Sequence, residues 1–401
     1  MSLKSLFGIS EEDPEKNPRK RNLVSNRQIA EIDHALLWSV LSLLSIGLIM
    51  VYSASIVIAG ESAATKHQSL FYVIRHCIFL GIGFVCAITA FQIKIDFWKK
   101  IAPLLFFSSV IVLALVLIPG IGKNVNGATR WISLGFFNIQ PSELVKIFSV
   151  LYAASYVERK FENMHELKIF LPILALIVLL GALLLLEPDF GAFVVIISIF
   201  MGILFLGGFR AGPFFGVIAF LLAAFALLIS SSPYRRARVF GFMDPWEDAF
   251  GKGYQLSHSL IAFGRGEISG VGLGASVEKL FYLPEAHTDF LMAVLAEEMG
   301  LIGVCVVIFL FSLIVYRAFK IGWNCVLLNK VYESLVSMGI GIWLGIQAFF
   351  NMGVNMGLLP TKGLTLPLMS FGGSGIVVNC IGLAILLRID WENRNLIRKS
   401  R

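Results

Sequence analysis

Five carboxylates lie at or inside long apolar stretches of this sequence, where ionisable groups are costly and mark functional sites by default. They are Glu187 and Asp189 on either side of a proline, Asp289, and the adjacent Glu297 and Glu298. Asp289 falls at the expected water boundary, where a carboxylate ionises and can reach a hydrophilic substrate. Glu297 and Glu298 lie about two helical turns deeper, so we expect them to pair within the protein.

A further polar group opens another apolar stretch, in the segment Gln140-Pro-Ser-Glu-Leu-Val-Lys146. Proline suits the first helical position, and Glu143 in the first turn faces the positive end of the helix dipole. Glu143 and Lys146 are three residues apart and are therefore neighbours on one helix face. Two interpretations stay open: a structural pair whose charges neutralise each other, or a lysine that presents its charge to an anionic ligand.

Two external connectors carry more polar residues. The segment Pro360-Thr-Lys-Gly-Leu-Thr-Leu-Pro367 leads into a helix start rich in small residues at Ser370, which lets backbones or a lipid chain approach closely. The long connector 232–286 is either a lid or part of a substrate groove, and its residues 257–263 suggest an interfacial amphipathic helix. Together the polar groups predict a ligand with an anionic part at headgroup level, a polar part outside and an apolar tail.

The elements that position these residues are membrane-spanning helices. The sequence is 57% hydrophobic and 15% charged, whereas soluble domains are about 25% charged, so an ordinary soluble enzyme is excluded. Apolar stretches separated by short polar connectors predict an all-α polytopic membrane protein with about ten spans. The predicted spans are 36–56, 70–93, 101–120, 141–157, 169–186, 190–207, 211–231, 287–316, 333–356 and 370–387.

The positive-inside rule orients this bundle, because most lysines and arginines fall on the side of both termini, which is therefore predicted to be cytoplasmic. We expect a partly disordered tail at 1–35, a membrane domain at 36–391 with the large external loop 232–286, and a basic tail at 392–401. The net charge of +7 is assigned to orientation and to contact with anionic membrane lipids, and no nucleic-acid partner is expected. The five cysteines lie in predicted spans or on the cytoplasmic side, so we expect no disulfide framework, and their spacing predicts no metal site.

Several motifs resemble the SEDS family (shape, elongation, division and sporulation), and they occur in the family's order over residues 36–391. The last external loop and the segment Leu387-Arg-Ile-Asp390 are most similar to the cell-division branch, while Phe371 stands where the family commonly has tyrosine. The motifs are Arg130-Trp-Ile-Ser-Leu-Gly135, Gln140-Pro-Ser-Glu-Leu-Val-Lys146, Glu187-Pro-Asp-Phe-Gly191, Leu283-Pro-Glu-Ala-His-Thr-Asp-Phe290, Glu297-Glu-Met-Gly300 and Pro360-Thr-Lys-Gly-Leu-Thr-Leu-Pro367.

The resemblance implies a SEDS-type bundle that polymerises lipid II into peptidoglycan glycan strands at the outer face of the bacterial inner membrane. It also implies a class B penicillin-binding transpeptidase and other divisome membrane proteins as partners at the division septum. The aspartate of the family's catalytic motif falls on Asp289, and the glutamate and lysine of its fourth span fall on Glu143 and Lys146. A lipid II flippase and a non-catalytic divisome scaffold remain as alternatives.

The hypothetical reaction is an inverting displacement of undecaprenyl pyrophosphate in which Asp289 is the general base. Lys146 would stabilise the pyrophosphate, with Arg130, Arg75 or a divalent cation as further candidates, and no other cofactor is expected. Glu187, Asp189, Glu297 and Glu298 are assigned supporting roles. The predicted substrate-binding residues are Lys146, Glu143, Gln140, Arg130, Arg75, His287, Lys362 and Ser370.

Overall fold

The computed structural model describes most of the chain and is mainly helical. The described residues are 32–125, 128–133, 135, 138–163, 166–210, 212, 214–216, 218, 219, 223, 227, 230, 242–251, 253–361 and 363–399. The predicted tail 1–35, apart from its last four residues, and the arginines at 235–238 lie outside them, as does Lys362.

The helices follow the apolar stretches of the sequence. They are α1 (His34–Glu61), α2 (Phe71–Gln92), α3 (Ile95–Val116), α4 (Pro141–Lys160), α5 (Leu167–Leu186), α6 (Phe190–Leu206), α7 (Tyr254–Gly266), α8 (Leu291–Leu327), α9 (Val331–Asn355) and α10 (Gly373–Lys399), with 3-10 turns at Ala63–Thr65 and Phe161–Asn163. The helix α7 contains the predicted amphipathic segment of the long external loop.

Seven of the described helices are long and apolar enough to cross a membrane, namely α1, α2, α3, α5, α8, α9 and α10. The helix α6 is apolar but shorter, and α4 is more polar because charged residues lie at both of its ends. The all-α polytopic fold is therefore confirmed. The predicted seventh span, 211–231, falls mainly on residues outside those described, so the count of ten stays a prediction.

The helix α8 differs from its predicted span in three ways. It begins at Leu291 rather than at His287, it ends at Leu327 rather than at residue 316, and it is interrupted at Gly300, whose φ is 62°. The chain after α7 hydrogen-bonds to this break: Val271 N donates to Glu297 O at 2.9 Å and Leu301 N donates to Glu267 O at 2.9 Å. A methyl group on Gly300 would lie 2.4 Å from Gly270 N, so only glycine permits this approach.

The connector between α3 and α4 forms a small antiparallel sheet that was not predicted. Its strands are β1 (Gly122–Val125), β2 (Ala128–Ser133) and β3 (Asn138–Ile139), in the order β1-β2-β3. Ile132 pairs with Ile139, and Pro141 then begins α4 directly after β3. The sheet places Arg130, in the middle of β2, close to the start of α4.

Residues near both ends of the described chain meet at the end of the bundle opposite this sheet. Asp33 caps α1 by accepting from Leu36 N at 3.1 Å and also accepts from Arg317 Nε of α8 at 2.7 Å. Arg394 of α10 bonds to Asp390 at 2.6 Å and also lies 3.8 Å from Asp33 Oδ2. The segment predicted as a basic tail thus continues as helix up to Lys399.

Candidate functional site

The backbone of Asp289 is fixed just before α8 by two amide side chains of α9. Asn351 Nδ2 donates to Asp289 O at 2.9 Å, and Asn355 Nδ2 donates to the same oxygen at 3.0 Å. Asn355 Oδ1 accepts from Ala293 N at 3.2 Å, in the first turn of α8. These bonds hold the Asp289 main chain in place and leave its carboxylate available.

The Asp289 carboxylate lies beside the loop that leads to α10 and beside Arg130. A methyl group on Gly363 would lie 2.9 Å from Asp289 Oδ2 and 3.9 Å from Arg130 Nη1, so both side chains approach the glycine closely. No side chain in the described part of the chain donates a hydrogen bond to this carboxylate. Burial raises the pKa of Asp289 to about 7; the Glu285 carboxylate adds to this rise and the Arg130 guanidinium opposes it.

Arg130 is oriented by the turn between α5 and α6. Its Nε donates to Glu187 O at 3.1 Å, and a terminal nitrogen donates to Pro188 O. The Glu187 side chain is fully buried, and neither carboxylate oxygen has a hydrogen-bond partner among the described residues. Burial raises the pKa of Glu187 to about 8; Asp189 reinforces this shift and Arg130 opposes it. Burial therefore favours the protonated, neutral form of Glu187 near pH 7.

Asp189 connects the starts of α6 and α4. Its Oδ1 caps α6 by accepting from Ala192 N at 3.1 Å, and its Oδ2 accepts from Gln140 Nε2 and from Ser142 Oγ, both at 3.1 Å. The backbone N–H of Gln140 donates to Ser374 Oγ at the start of α10, at 3.2 Å. Gln140 and Asp189 thus join three helix ends around the candidate site.

Glu143 and Lys146 form the ion pair expected from their spacing. Lys146 Nζ lies 2.8 Å from Glu143 Oε1 and donates to Gln347 Oε1 at 2.7 Å. The Lys146 side chain is fully buried, so its charge is held inside the bundle. Gln347 Nε2 in turn donates to Thr365 O at 3.1 Å, which links the pair to the loop beside Asp289.

Three amide side chains of α9 that were not predicted organise this site. Gln347, Asn351 and Asn355 are spaced by four residues and therefore share one helix face. Asn351 also donates to Leu364 O at 2.5 Å, so the stripe holds both the loop after Gly363 and the main chain of Asp289. Three amides at this spacing in an apolar helix were the signal that could have identified them.

The remaining predicted residues have different surroundings. The His287 ring packs 4.4 Å from Tyr72 and 5.7 Å from Phe371, and burial lowers its pKa, opposed by Glu285. Arg75 lies on the exposed face of α2, with its guanidinium 4.4 Å above the Phe71 ring. Ser370 Oγ accepts from Leu366 N at 3.0 Å and closes a turn. Lys362 lies outside the described residues.

Glu297 and Glu298 do not join Asp289 but form a separate buried cluster with the connector between α7 and α8. Glu297 accepts from Val277 N at 3.0 Å and from Ser276 Oγ. Glu298 accepts from Lys279 Nζ and from Ser53 Oγ of α1, both at 2.6 Å. Lys279 was not predicted, and it also donates to Gly274 O at 2.8 Å. This cluster fastens the loop to α8 and α1.

Within the part of the chain that the structure describes, no group of three His, Cys, Asp or Glu side chains is placed to hold a metal ion. The chemistry available from the described side chains is therefore one partly exposed carboxylate, one oriented guanidinium and a buried lysine behind them.

Sequence comparisons identify a family and close relatives. Residues 34–395 match the family model of cell cycle proteins FtsW/RodA/SpoVE. A probable peptidoglycan glycosyltransferase FtsW of Aromatoleum aromaticum is 60% identical over 371 residues, covering 92% of this chain and 90% of the relative. A protein with the same description from Burkholderia thailandensis is 53% identical over 377 residues, covering 93% of this chain and 82% of the relative.

Solved structures with the same fold include proteins of this family. One is a peptidoglycan synthase complex studied for its coordination of polymerization and crosslinking; it matches with a TM-score of 0.71 and 27% identity over 90% of this chain and 98% of that one. The rod shape determining protein RodA of Thermus thermophilus matches with a TM-score of 0.64 and 25% identity over 92% of this chain and 98% of its own.

Proposed function

The chain belongs to the FtsW/RodA/SpoVE family and is a peptidoglycan glycosyltransferase, and from this premise we propose that Asp289 is its general base. The substrate in this proposal is lipid II, whose disaccharide is polymerised into glycan strands for septal cell-wall synthesis. The observation that carries the proposal is the Asp289 carboxylate itself. It is partly exposed, it lacks a described hydrogen-bond donor, and its main chain is held by Asn351 and Asn355.

The proposed reaction is a single inverting displacement. The 4-OH of the acceptor's terminal GlcNAc attacks C1 of the donor's MurNAc, Asp289 accepts the hydroxyl proton, and undecaprenyl pyrophosphate leaves. A general base works best when its pKa is close to the operating pH, and the pKa of Asp289 is raised to about 7. The pyrophosphate needs charge stabilisation rather than protonation, so one carboxylate is sufficient.

The proposed role of Arg130 is to stabilise the leaving pyrophosphate. Its bonds to Glu187 O and Pro188 O orient the guanidinium beside Gly363 without neutralising its charge. Arginine favours such a role because its planar donors match phosphate oxygens. Lys146 would contribute its positive charge from inside the bundle without touching the pyrophosphate, since its fully buried ammonium is held by Glu143 and Gln347. Direct contact between Lys146 and a pyrophosphate would require a rearrangement, because the Lys146 side chain is fully buried.

We further propose that the enzyme works with a class B penicillin-binding transpeptidase and other divisome membrane proteins. The similarity to a complex that coordinates polymerization and crosslinking supports such a partner. The chain is a multi-pass inner-membrane protein. Its enrichment at the septum and the cytoplasmic location of both termini belong to the proposal, the latter supported by the positive-inside distribution of lysine and arginine.

The experiment that tests the proposal is polymerisation of purified lipid II by the purified complex with its transpeptidase. We expect Asp289→Asn to abolish polymer formation while folding and partner binding are retained, because the isosteric amide cannot accept the proton. Glu267→Gln is the matched control, since it removes one exposed carboxylate from the same connector between α7 and α8 and should leave polymerisation unchanged. Near wild-type polymer from Asp289→Asn would exclude the general-base role. Transport of lipid II without polymer from the wild type would indicate a flippase.

A further inference from the structure

A second site lies at the end of the bundle remote from Asp289, in a cleft between α3 and α4. The cleft encloses about 430 Å³ and is lined by Asp96, Lys99, Lys100, Pro103, Ser155 and Arg159. The main-chain N–H of Ile95, at the start of α3, lies 3.4 Å from Glu392 Oε1 near the end of α10. The cleft therefore lies at the level where the helices leave the membrane on the side of the C-terminal end of α10.

The two cations at the mouth of this cleft are not neutralised by the protein. Lys99 bonds to Glu158 at 2.7 Å, but no described carboxylate lies within ion-pair distance of Lys100 or Arg159. Arg159 uses its Nε to bond Ser155 O at 3.1 Å, which orients the guanidinium and leaves its terminal nitrogens for a ligand. Two uncommitted cations facing one cleft favour an anion.

The cleft is also lined by hydrogen-bond acceptors and by one hydroxyl group. Asp96 supplies a carboxylate at the cleft, and Ser155 supplies a buried hydroxyl. Pro103 has no N–H to donate to the main-chain carbonyl of Lys99, four residues earlier, so that carbonyl lacks its helical partner. A ligand that fits this set carries a negative charge together with hydrogen-bond donors of its own.

An apolar stripe runs along α3 directly from the cleft toward the middle of the membrane. Leu104, Phe107 and Ile111 are 71%, 46% and 61% exposed. They follow Lys100 at spacings of four, seven and eleven residues and therefore share its helix face. An acyl chain lying on this stripe would place its headgroup at Lys100 and Arg159.

From these features we propose that the cleft between α3 and α4 binds an anionic glycerophospholipid. Its phosphodiester lies between Lys100 and Arg159, its headgroup hydroxyls donate to Asp96 and to the Lys99 carbonyl, and its acyl chain lies on the stripe of α3. Basic clefts between membrane helices on the cytoplasmic side are known to suit such headgroups. This binding does not depend on the assignment of Asp289 as general base.

The test measures lipid retention by native mass spectrometry of the purified full-length chain, offered either phosphatidylglycerol or phosphatidylcholine. We expect the wild type to retain phosphatidylglycerol selectively, because a choline headgroup carries no net charge to offer and no hydroxyl donors. The Lys100→Gln/Arg159→Gln variant should retain it about 25-fold more weakly, since each cation near an anionic lipid contributes about fivefold. The matched control Lys160→Gln/Lys168→Gln removes the same charge nearby, outside the cleft, and should change retention less than twofold.

Three outcomes would overturn the proposal. Equal loss in both double variants would indicate a diffuse basic surface, and equal retention of phosphatidylcholine would exclude a requirement for an anionic lipid. Displacement of the lipid by inorganic phosphate at equal concentration would assign the cleft to a soluble anion. The single variant Lys100→Gln changes only an exposed side chain, so a fivefold effect there remains measurable if the double variant does not fold.

Discussion

Two buried lysine–glutamate pairs in this protein have the same chemistry and different surroundings. Lys146 pairs with Glu143 at 2.8 Å and Lys279 pairs with Glu298 at 2.6 Å, and all four side chains are at least nine-tenths buried. The first pair continues through Gln347 to the loop beside Asp289. The second continues through Ser53 to α1. A buried ion pair is therefore not by itself evidence of catalysis, and its neighbours decide which role is assigned.

A second comparison is between carboxylates that accept hydrogen bonds and carboxylates that do not. Glu297 and Glu298 accept bonds from the external loop, whereas Glu187 accepts none among the described residues. The paired carboxylates Glu297 and Glu298 fasten the loop to the bundle, whereas Glu187 and Asp289 lie near Arg130 and have raised pKa values. Raised carboxylate pKa values of this kind are common at functional sites, and buried structural groups can show them too.

The largest expected effect is the loss of stability when only the lysine of the Lys279–Glu298 pair is removed. Lys279→Met leaves Glu298 buried without its cation, which typically costs about 3–5 kcal/mol. We expect a lower thermal midpoint and lower accumulation in membranes, with an unchanged polymerisation rate per folded molecule. Thermal unfolding monitored by the fluorescence of the purified protein, together with the polymerisation assay, checks this. A folded Lys279→Met protein with a strongly reduced rate would bring this pair into the catalytic machinery.

Removing both charges of each pair separates catalysis from stability. A buried ion pair replaced as a whole by neutral groups is often close to neutral in stability. Glu298→Gln/Lys279→Met should therefore fold and keep its rate. Glu143→Gln/Lys146→Met should fold but polymerise about 10²–10³-fold more slowly, because loss of one preorganised electrostatic group typically costs about 3–4 kcal/mol in the transition state. Equal rates in the two double variants would make Glu143 and Lys146 a purely structural pair.

The sequence could predict the contact between residues close together in the chain, but not the contact between residues far apart. Glu143 and Lys146 are three residues apart on one helix, so their contact followed from helix geometry alone. Lys279 and Glu298 are 19 residues apart, and their contact requires the connector after α7 to fold back onto α8, as it does through Val271 N and Glu297 O. The apolar stretches predicted the helices, because a segment buried in lipid must satisfy its main-chain hydrogen bonds internally, as a helix does. The small sheet that carries Arg130 has no comparable signal, since its strands are only two to six residues long.

Because burial favours the protonated form of Glu187, the free energy of unfolding should depend differently on pH in the wild type and in the Glu187→Gln variant. The folded-state pKa of about 8 lies above the ordinary value of 4.5, so the folded state keeps a proton that the unfolded state loses. The free energy of unfolding should therefore fall by about 1.4 kcal/mol per pH unit between about pH 4.5 and 8 on account of this group. Glu187→Gln removes this contribution and should be the more stable protein at pH 8–9. Parallel stability curves for the two proteins would contradict the burial argument.

The smallest and most specific prediction concerns the pH profile of polymerisation. A general base with a pKa of about 7 gives a rate that rises about tenfold per pH unit below pH 7 and levels off above it. Glu285 raises this pKa and Arg130 lowers it, so Glu285→Gln should move the midpoint to lower pH and Arg130→Gln to higher pH. Glutamine at 285 can still accept the 2.6 Å bond from Thr288 Oγ1, which makes it a conservative change. Midpoints that stay fixed in both variants would assign the titration to a group other than Asp289, and opposite shifts would identify this unpaired carboxylate as the base.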